Sequence, residues 1–314
     1  MEDDSRDAVS DDSFPRSPKM RRVGEPGGIR PRFPGYRLME LFSVRFVDYE
    51  QVKLEEIYGI IMIDCSTDPY VLFERLPGDP VPVDRDGYVN LTDPDVVHDA
   101  YDLTEFHAFL SKLNERAYKS VHLMWSGVQD ECLLDCNKLL VKRWDTMIGP
   151  IELSFAVFTD SLTAALEVKL LHWKDKGKSE GRITDQIDEI ELFGEIASRK
   201  KIITDDNAKS YIFKREKEMC AWVRPGEAIP LSRCHTVCPI SSSIELDVAL
   251  YHPSDSNLGG DDLIVNGHVE FAAIQRCGQF VLESDYASIQ LKITLSNYSD
   301  CQSVLPFFSR TPSV

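Results

Sequence analysis

The sequence predicts a mainly β protein, an antiparallel β-sandwich built from two diverged copies of one β-unit, with few helices. Three observations carry this expectation. Apolar and polar residues alternate with period two in five separate runs, the pattern of half-buried strands. Clusters of Gly, Pro, Asn and Asp punctuate those runs, as turns require. A set of strand residues then recurs in the same order farther along the chain.

Residues 1–35 stand apart. Pro15, Pro18, Pro26, Pro31 and Pro34 interrupt a segment that is acidic, then basic, and has almost no apolar periodicity. Such a stretch buries too little surface to offset its ordering entropy, so it is expected to be a disordered arm. Within it, Lys19, Arg21 and Arg22 read as a solvated basic patch. The first β-unit is expected over 36–160, the second over 161–300, and a short tail over 301–314.

The strands follow in order. Phe42–Phe46 alternates strictly, whereas Ile57–Ile63 is almost continuously apolar and suits a central strand covered on both faces. Leu153–Val157, Leu166–Leu170, Ile244–Val248 and Ile289–Ile293 alternate again. Turn signals separate them at Pro77-Gly78-Asp79-Pro80, Asp86-Gly87, Pro225-Gly226, Asn257–Gly260 and Asn266-Gly267. One helical signal is present: Leu133, Cys136, Leu139 and Leu140 share a helix face.

The repeat is the most informative feature. Tyr58-Gly59-Ile60-Ile61, followed by Tyr70–Arg75, recurs as Phe193-Gly194-Glu195-Ile196, followed by Tyr211–Arg215. Phe73 and Phe213, Arg75 and Arg215, Leu91 and Leu231, and Glu105 and Glu245 all stand 140 positions apart. The opening strand Phe42–Phe46 matches Leu166–Leu170, with a third echo at Ile289–Ile293. Glycine weakens a strand, so Gly59 and Gly194 are expected to mark a bulge or a close backbone approach.

The ordered run resembles a plant family abundant in grasses and known as domain of unknown function (DUF) 6598. The likeness rests on Leu41–Arg45, the Tyr-Gly-Ile element within Ile57–Ile61, the aromatic strand Val71–Arg75, Ile229-Pro230-Leu231-Ser232 and Ile244–Leu250, and it spans about 36–298. In some relatives this module follows a ribosome-inactivating glycosidase domain of the jasmonate-induced type. The resemblance therefore implies a stress or defence setting and supplies no catalytic residues. The Glu-Ala-x-Arg-Phe signature of that glycosidase is not found in this sequence.

Charge narrows the function classes. The 314 residues hold 52 acids against 35 bases, for a net −17, a field that repels phosphate backbones and anionic lipid. General nucleic-acid binding and membrane binding are not expected. The acidic start, Met1–Asp12, is unlike a secretory signal, and no apolar run approaches the roughly 20 residues of a membrane span. The eight cysteines are read as reduced thiols in the cytoplasm or nucleus, and the sequons at Asn90 and Asn297 are expected to stay unmodified.

Tests for chemistry return little. Cys132, Cys136, Cys234, His235 and Cys238 offer soft ligands at spacings that suit no zinc knuckle. His98, His107, His122, His172, His235, His252 and His268 fall into no nucleophile motif. Phosphate cradles are missing, and Asp64, Asp68, Asp84, Asp86, Asp93 and Asp95 read as turn residues before they read as calcium ligands. No catalytic residue, metal ligand or cofactor is assigned. Trp125, Trp144, Trp173 and Trp222 default to the core, with Trp173 the best exposed. The candidate contact residues are Trp173, Trp222, Gly59, Gly194, Arg75 and Arg215. The expected function is a non-catalytic protein-interaction or scaffold module using a sheet edge or inter-strand loops. The alternatives are a hydrolase with a site assembled from distant loops, and a calcium- or carbohydrate-binding sandwich.

Overall fold

The computed structural model describes residues 19–22, 35–47, 56–65, 68–84, 86–89, 91, 98–100, 103–112, 120–126, 136–146, 149–173, 189–253 and 262–297. A short strand β1 (Lys19–Arg22) precedes the first unit. That unit holds β2 (Tyr36–Phe46), β3 (Glu56–Cys65), β4 (Asp68–Arg75), β5 (Val81–Pro82), β6 (His98–Asp99), β7 (Leu103–Lys112), β8 (Ser120–Ser126), β9 (Leu140–Thr146) and the first part of β10 (Gly149–Trp173). The rest of β10 opens the second unit. It continues through β11 (Ile190–Lys200), β12 (Lys209–Arg215), β13 (Ala221–Val223), β14 (His235–Pro239), β15 (Ser243–His252), β16 (Asp262–Ala272), β17 (Cys277–Glu283) and β18 (Ala287–Ser296). Among the described residues every strand pairing is antiparallel, and no helix is long and apolar enough to cross a membrane.

The two units have the same topology, strand for strand. One five-stranded sheet runs β4-β3-β7-β8 with β5 also on β3; the other runs β12-β11-β15-β16 with β13 on β11. Gly59 pairs with Arg75 on one side and Leu110 on the other, and Gly194 pairs with Arg215 and Leu250. Ile57 opposite Val81 corresponds to Leu192 opposite Ala221. A register break follows Ile61 in one copy and Ile196 in the other.

The second layer is an eight-stranded sheet in which the copies meet. Its order is β1-β17-β18-β10-β2-β6, with β9 and β14 also on β10. β10 is 25 residues long and belongs to both units. Its first part closes copy one against β2 and β9, and its second part opens copy two against β18 and β14. Ser161 marks the hand-over, paired with Tyr36 on one side and Pro239 on the other. The echo at Ile289–Ile293 therefore belongs with the closing strand Ile151–Phe155, because Ile289 meets Leu170 as Ile151 meets Phe46.

Each copy buries its own core. Phe46, Ile57, Ile61, Phe73, Phe106 and Phe155 fill the first; Leu170, Ile196, Phe213, Ile244, Phe271 and Ile289 are among those that fill the second. A third cluster sits between them, with Leu38, Phe42, Ala156 and Phe158 from copy one against Ala208 and Val237 from copy two. The β11–β12 connection, 201–208, is longer than the two-residue β3–β4 connection, and its Ile202, Ile203 and Ala208 pack at this junction.

Three expectations need correction. The helix expected around Leu133–Leu140 is not formed over its described part: Cys136 and Asn137 make a turn and Leu140 enters β9. Asn137 sits at φ 58°, a left-handed conformation that ends any helix, and its N–H donates to Val157 O at 2.7 Å. Within the arm, the four residues Lys19–Arg22 alone depart from the expectation, pairing with Phe280–Glu283 in the sheet, while 1–18 and 23–34 lie outside the described residues. The β3 strand is central as expected, with Ile57 and Ile61 buried, yet Ile60 and Met62 on its other face are only half-buried.

A candidate cleft between the two copies

The site is built from a loop of copy one and a strand end of copy two. The chain from Val83 to Val89 is strapped to β2: Phe46 N donates to Gly87 O at 2.8 Å, Val89 N to Val44 O at 2.9 Å, and Arg45 Nε to Asp86 O at 2.9 Å. Asp84 shapes the turn, because its Oδ1 accepts from Asp86 N at 3.0 Å and Tyr88 N at 2.7 Å. Asp84 Oδ2 then reaches across to copy two and accepts from Lys214 Nζ at 2.8 Å. This ammonium lies 4.8 Å from the Tyr211 ring centre and 5.7 Å from that of Tyr88. Burial works to lower the Lys214 pKa, but Asp84 overcomes it and holds the group above its ordinary value.

The cleft enclosed by these parts has a volume of about 230 Å³. Val83, Val89 and Leu91 give it an apolar wall, and Tyr88 and Tyr211 line it. Its cations are Arg75, Lys214, Arg215 and Arg233. The repeat thus delivers the same strand-end arginine twice to one place. Replacing Asp84 by alanine is expected to cost about 1–2 kcal/mol, since the turn loses two backbone donors and Lys214 its partner. Urea unfolding checks this, with Lys214→Met expected to cost less because the turn remains.

Beneath the cleft lies a buried polar cluster that ties the copies together. Glu40, on β2, is 6% exposed and Lys200, at the end of β11, is 1% exposed. Glu40 Oε1 accepts from Lys200 Nζ at 2.7 Å, from Thr236 Oγ1 at 2.8 Å, and from Ser210 Oγ. Its Oε2 accepts from Val237 N at 2.9 Å. Lys200 Nζ also donates to Thr236 Oγ1 at 2.5 Å and Ser198 Oγ at 3.2 Å. Arg233 Nη1 donates to Leu41 O at 2.6 Å. Burial pushes the Glu40 pKa up, but Lys200, Ser210 and Val237 overcome it and hold the carboxyl below its ordinary value. Glu40 and Lys200 are almost sealed from solvent, and their ion pair joins copy one to copy two, while Arg233 stands between this pair and the cleft.

The sequence-derived candidates separate into two groups. Arg75 and Arg215 both line the cleft. Gly59 and Gly194 are explained by the sheet itself: at φ 128° and 114°, an added Cβ would stand 2.0 Å from Phe109 O and 2.2 Å from Ala249 O. Trp173 packs against the second core, its ring centre 5.2 Å from that of His252. Trp222, on β13, is 61% exposed, against the core default. Cys238 is buried, which pushes its thiol up to about 12, so it stays protonated. The side chains of Trp125, Trp144, His98, His122, Asp64 and Asp68 lie outside the described residues, as do Cys132, Asp93 and Asp95. Reasoning from sequence missed Glu40, Lys200 and Arg233. The one available signal was a carboxylate inside the apolar run Leu38–Phe42.

The family described as "Domain of unknown function (DUF6598)" matches residues 38–294. No curated protein matches the chain. Among solved structures, human GIVD cytosolic phospholipase A2 is similar at 10% identity and a TM-score of 0.24, over 84% of this chain and 33% of that one. The same human enzyme in complex with methyl gamma-linolenyl fluorophosphonate is similar at 9% identity and a TM-score of 0.22, over the same shares. This chain thus spans about a third of those proteins, and a likeness so distant carries no argument about activity.

Proposed function

The chain belongs to the DUF6598 family, and on that footing we propose that it is a non-catalytic protein-interaction module, acting in the cytoplasm in a plant stress or defence response. The partner is captured as an extended segment added to a sheet edge. The observation that carries this reading is β1 on β17. Lys19 stands opposite Glu283 and Arg22 opposite Phe280, so a segment remote in sequence has been added to the eight-stranded sheet. Main-chain pairing of this kind is largely independent of side chains, so a partner's strand fits the same edge. Strand β9, the counterpart of β17 in copy one, pairs only with β10 among the described residues.

Two measurements test this. A fluorescein-labelled peptide of residues 15–26 should bind saturably to a chain starting at Gly35 and not to the full chain, whose own β1 already occupies the edge. Crosslinked affinity purification from stressed leaf tissue should then recover a partner more strongly with the shortened chain. If the peptide fails to bind and neither chain retains a partner above background, the edge-capture reading is wrong.

A further inference from the structure

The cleft between the copies holds more positive charge than its own carboxylates answer. Of its two acids, Asp84 is already paired with Lys214, and Glu216 is exposed. Arg233 is 6% exposed, and its Nη1 contact is a neutral carbonyl, Leu41 O. The nearby Glu40 carboxylate is held by Lys200, Ser210, Thr236 and Val237. Arg215 Nε is buried with no hydrogen-bond partner among the described residues. Arg215 is half-buried with its Nε sealed from solvent, and Arg233 shares the Glu40 carboxylate with Lys200, so two cations lean on one buried acid. A guanidinium's planar fork fits a further carboxylate closely. Concentrating cations in one cleft is the more telling in a chain of net −17.

The remaining surface says what the anion must carry. Val83, Val89 and Leu91 need an apolar body against them, and the Tyr88 and Tyr211 rings offer faces on which a ring or chain can lie. A bare inorganic ion would leave this wall unfilled. We infer that the cleft is a binding site for a small amphipathic carboxylate, with its head at Arg215 and Arg233 and its apolar body against Val83, Val89 and Leu91. The site is separate from the β17 edge, so this inference stands or falls independently of the edge-capture reading.

Isothermal titration calorimetry on the full chain tests it with three probes: 4-phenylbutyrate, its neutral counterpart 4-phenylbutanol, and inorganic phosphate. The acid should bind about tenfold or more tightly than the alcohol, as expected for a charge-assisted pair in a partly dry site. Phosphate should bind more weakly than the acid. Arg215→Gln should weaken the acid about tenfold and leave the alcohol unchanged. Met219 is 44% exposed where it lines the cleft, so Met219→Trp should block the acid without lowering the melting temperature. If Arg215→Gln destabilises the fold, the Met219→Trp result decides. Equal affinity for acid and alcohol, phosphate binding as tightly as the acid, binding that survives Met219→Trp, or no binding of the acid would each overturn the inference.

Discussion

Replacing Glu40 by alanine is expected to destabilise the protein by about 3–5 kcal/mol, the cost typical of removing one partner from a buried ion pair. The reason is what remains. Lys200 would stay buried as an uncompensated ammonium, and Ser210, Thr236 and the Val237 N–H would lose their common acceptor. Lys200→Met should cost a similar amount by stranding the carboxylate. The double variant Glu40→Leu, Lys200→Met should recover part of the loss, since neither charge is then left unpaired. Urea midpoints of the four proteins measure this directly.

The same cluster makes a signed pH prediction. The Glu40 carboxyl is held below its ordinary value of 4.5 in the folded protein. Its stabilisation is therefore fully present above about pH 4.5 and is lost as pH falls through the lower folded value. Asp247 is also held low: burial raises it, and His268 and Arg199 overcome that effect. Its side chain is 35% exposed and makes a smaller, screened contribution. The difference in acid sensitivity between the native protein and Glu40→Gln isolates the buried carboxylate. Acid curves of identical slope would contradict its ion pairing.

Gly194→Ala is the second large effect, at about 3 kcal/mol or more. Positive φ alone costs a non-glycine residue about 1–3 kcal/mol. Here the added Cβ would also lie 2.2 Å from Ala249 O, a backbone atom held in the β11–β15 ladder. A flexible side chain could give way at such a distance; a sheet carbonyl cannot without breaking pairing. Gly59→Ala should act equally on copy one, against Phe109 O at 2.0 Å. Because each copy has its own core, Gly59→Ala should loosen the first unit before the second, and Gly194→Ala the reverse. Amide exchange by mass spectrometry, read on β3–β7 and β11–β15 peptides, distinguishes the two.

The repeat was legible because β4, β5 and β7 keep one offset: Phe73 to Phe213, Val81 to Ala221 and Leu110 to Leu250 are each 140 apart. Strands β3 and β11 do not keep it, since Gly59 to Gly194 is a step of 135. The longer β11–β12 connection absorbs the difference, and it is the piece that packs at the junction of the copies. Alternation alone divided β10 into two strands, Leu153–Val157 and Leu166–Leu170. What marks them as one is the lack of any Gly, Pro or Asn between Ile151 and Trp173. Glu40 and Lys200 were out of reach for a different reason: their meeting, 160 residues apart, depends on how the copies dock, which local periodicity does not encode. Arg75 and Arg215 were found through the repeat, although their shared cleft was not.

Amide exchange, compared between the native protein and Glu40→Gln, reads the junction of the two copies separately from their cores. If two copies with separate cores, joined through the shared sheet, are keyed to each other by the buried Glu40–Lys200 cluster, the variant should lose protection along Leu38–Leu41 and the Phe158–Ala164 stretch of β10. Protection around Phe73 and Phe213, inside the separate cores, should persist. A uniform loss of protection across both cores, or no change at the junction, would contradict the claim.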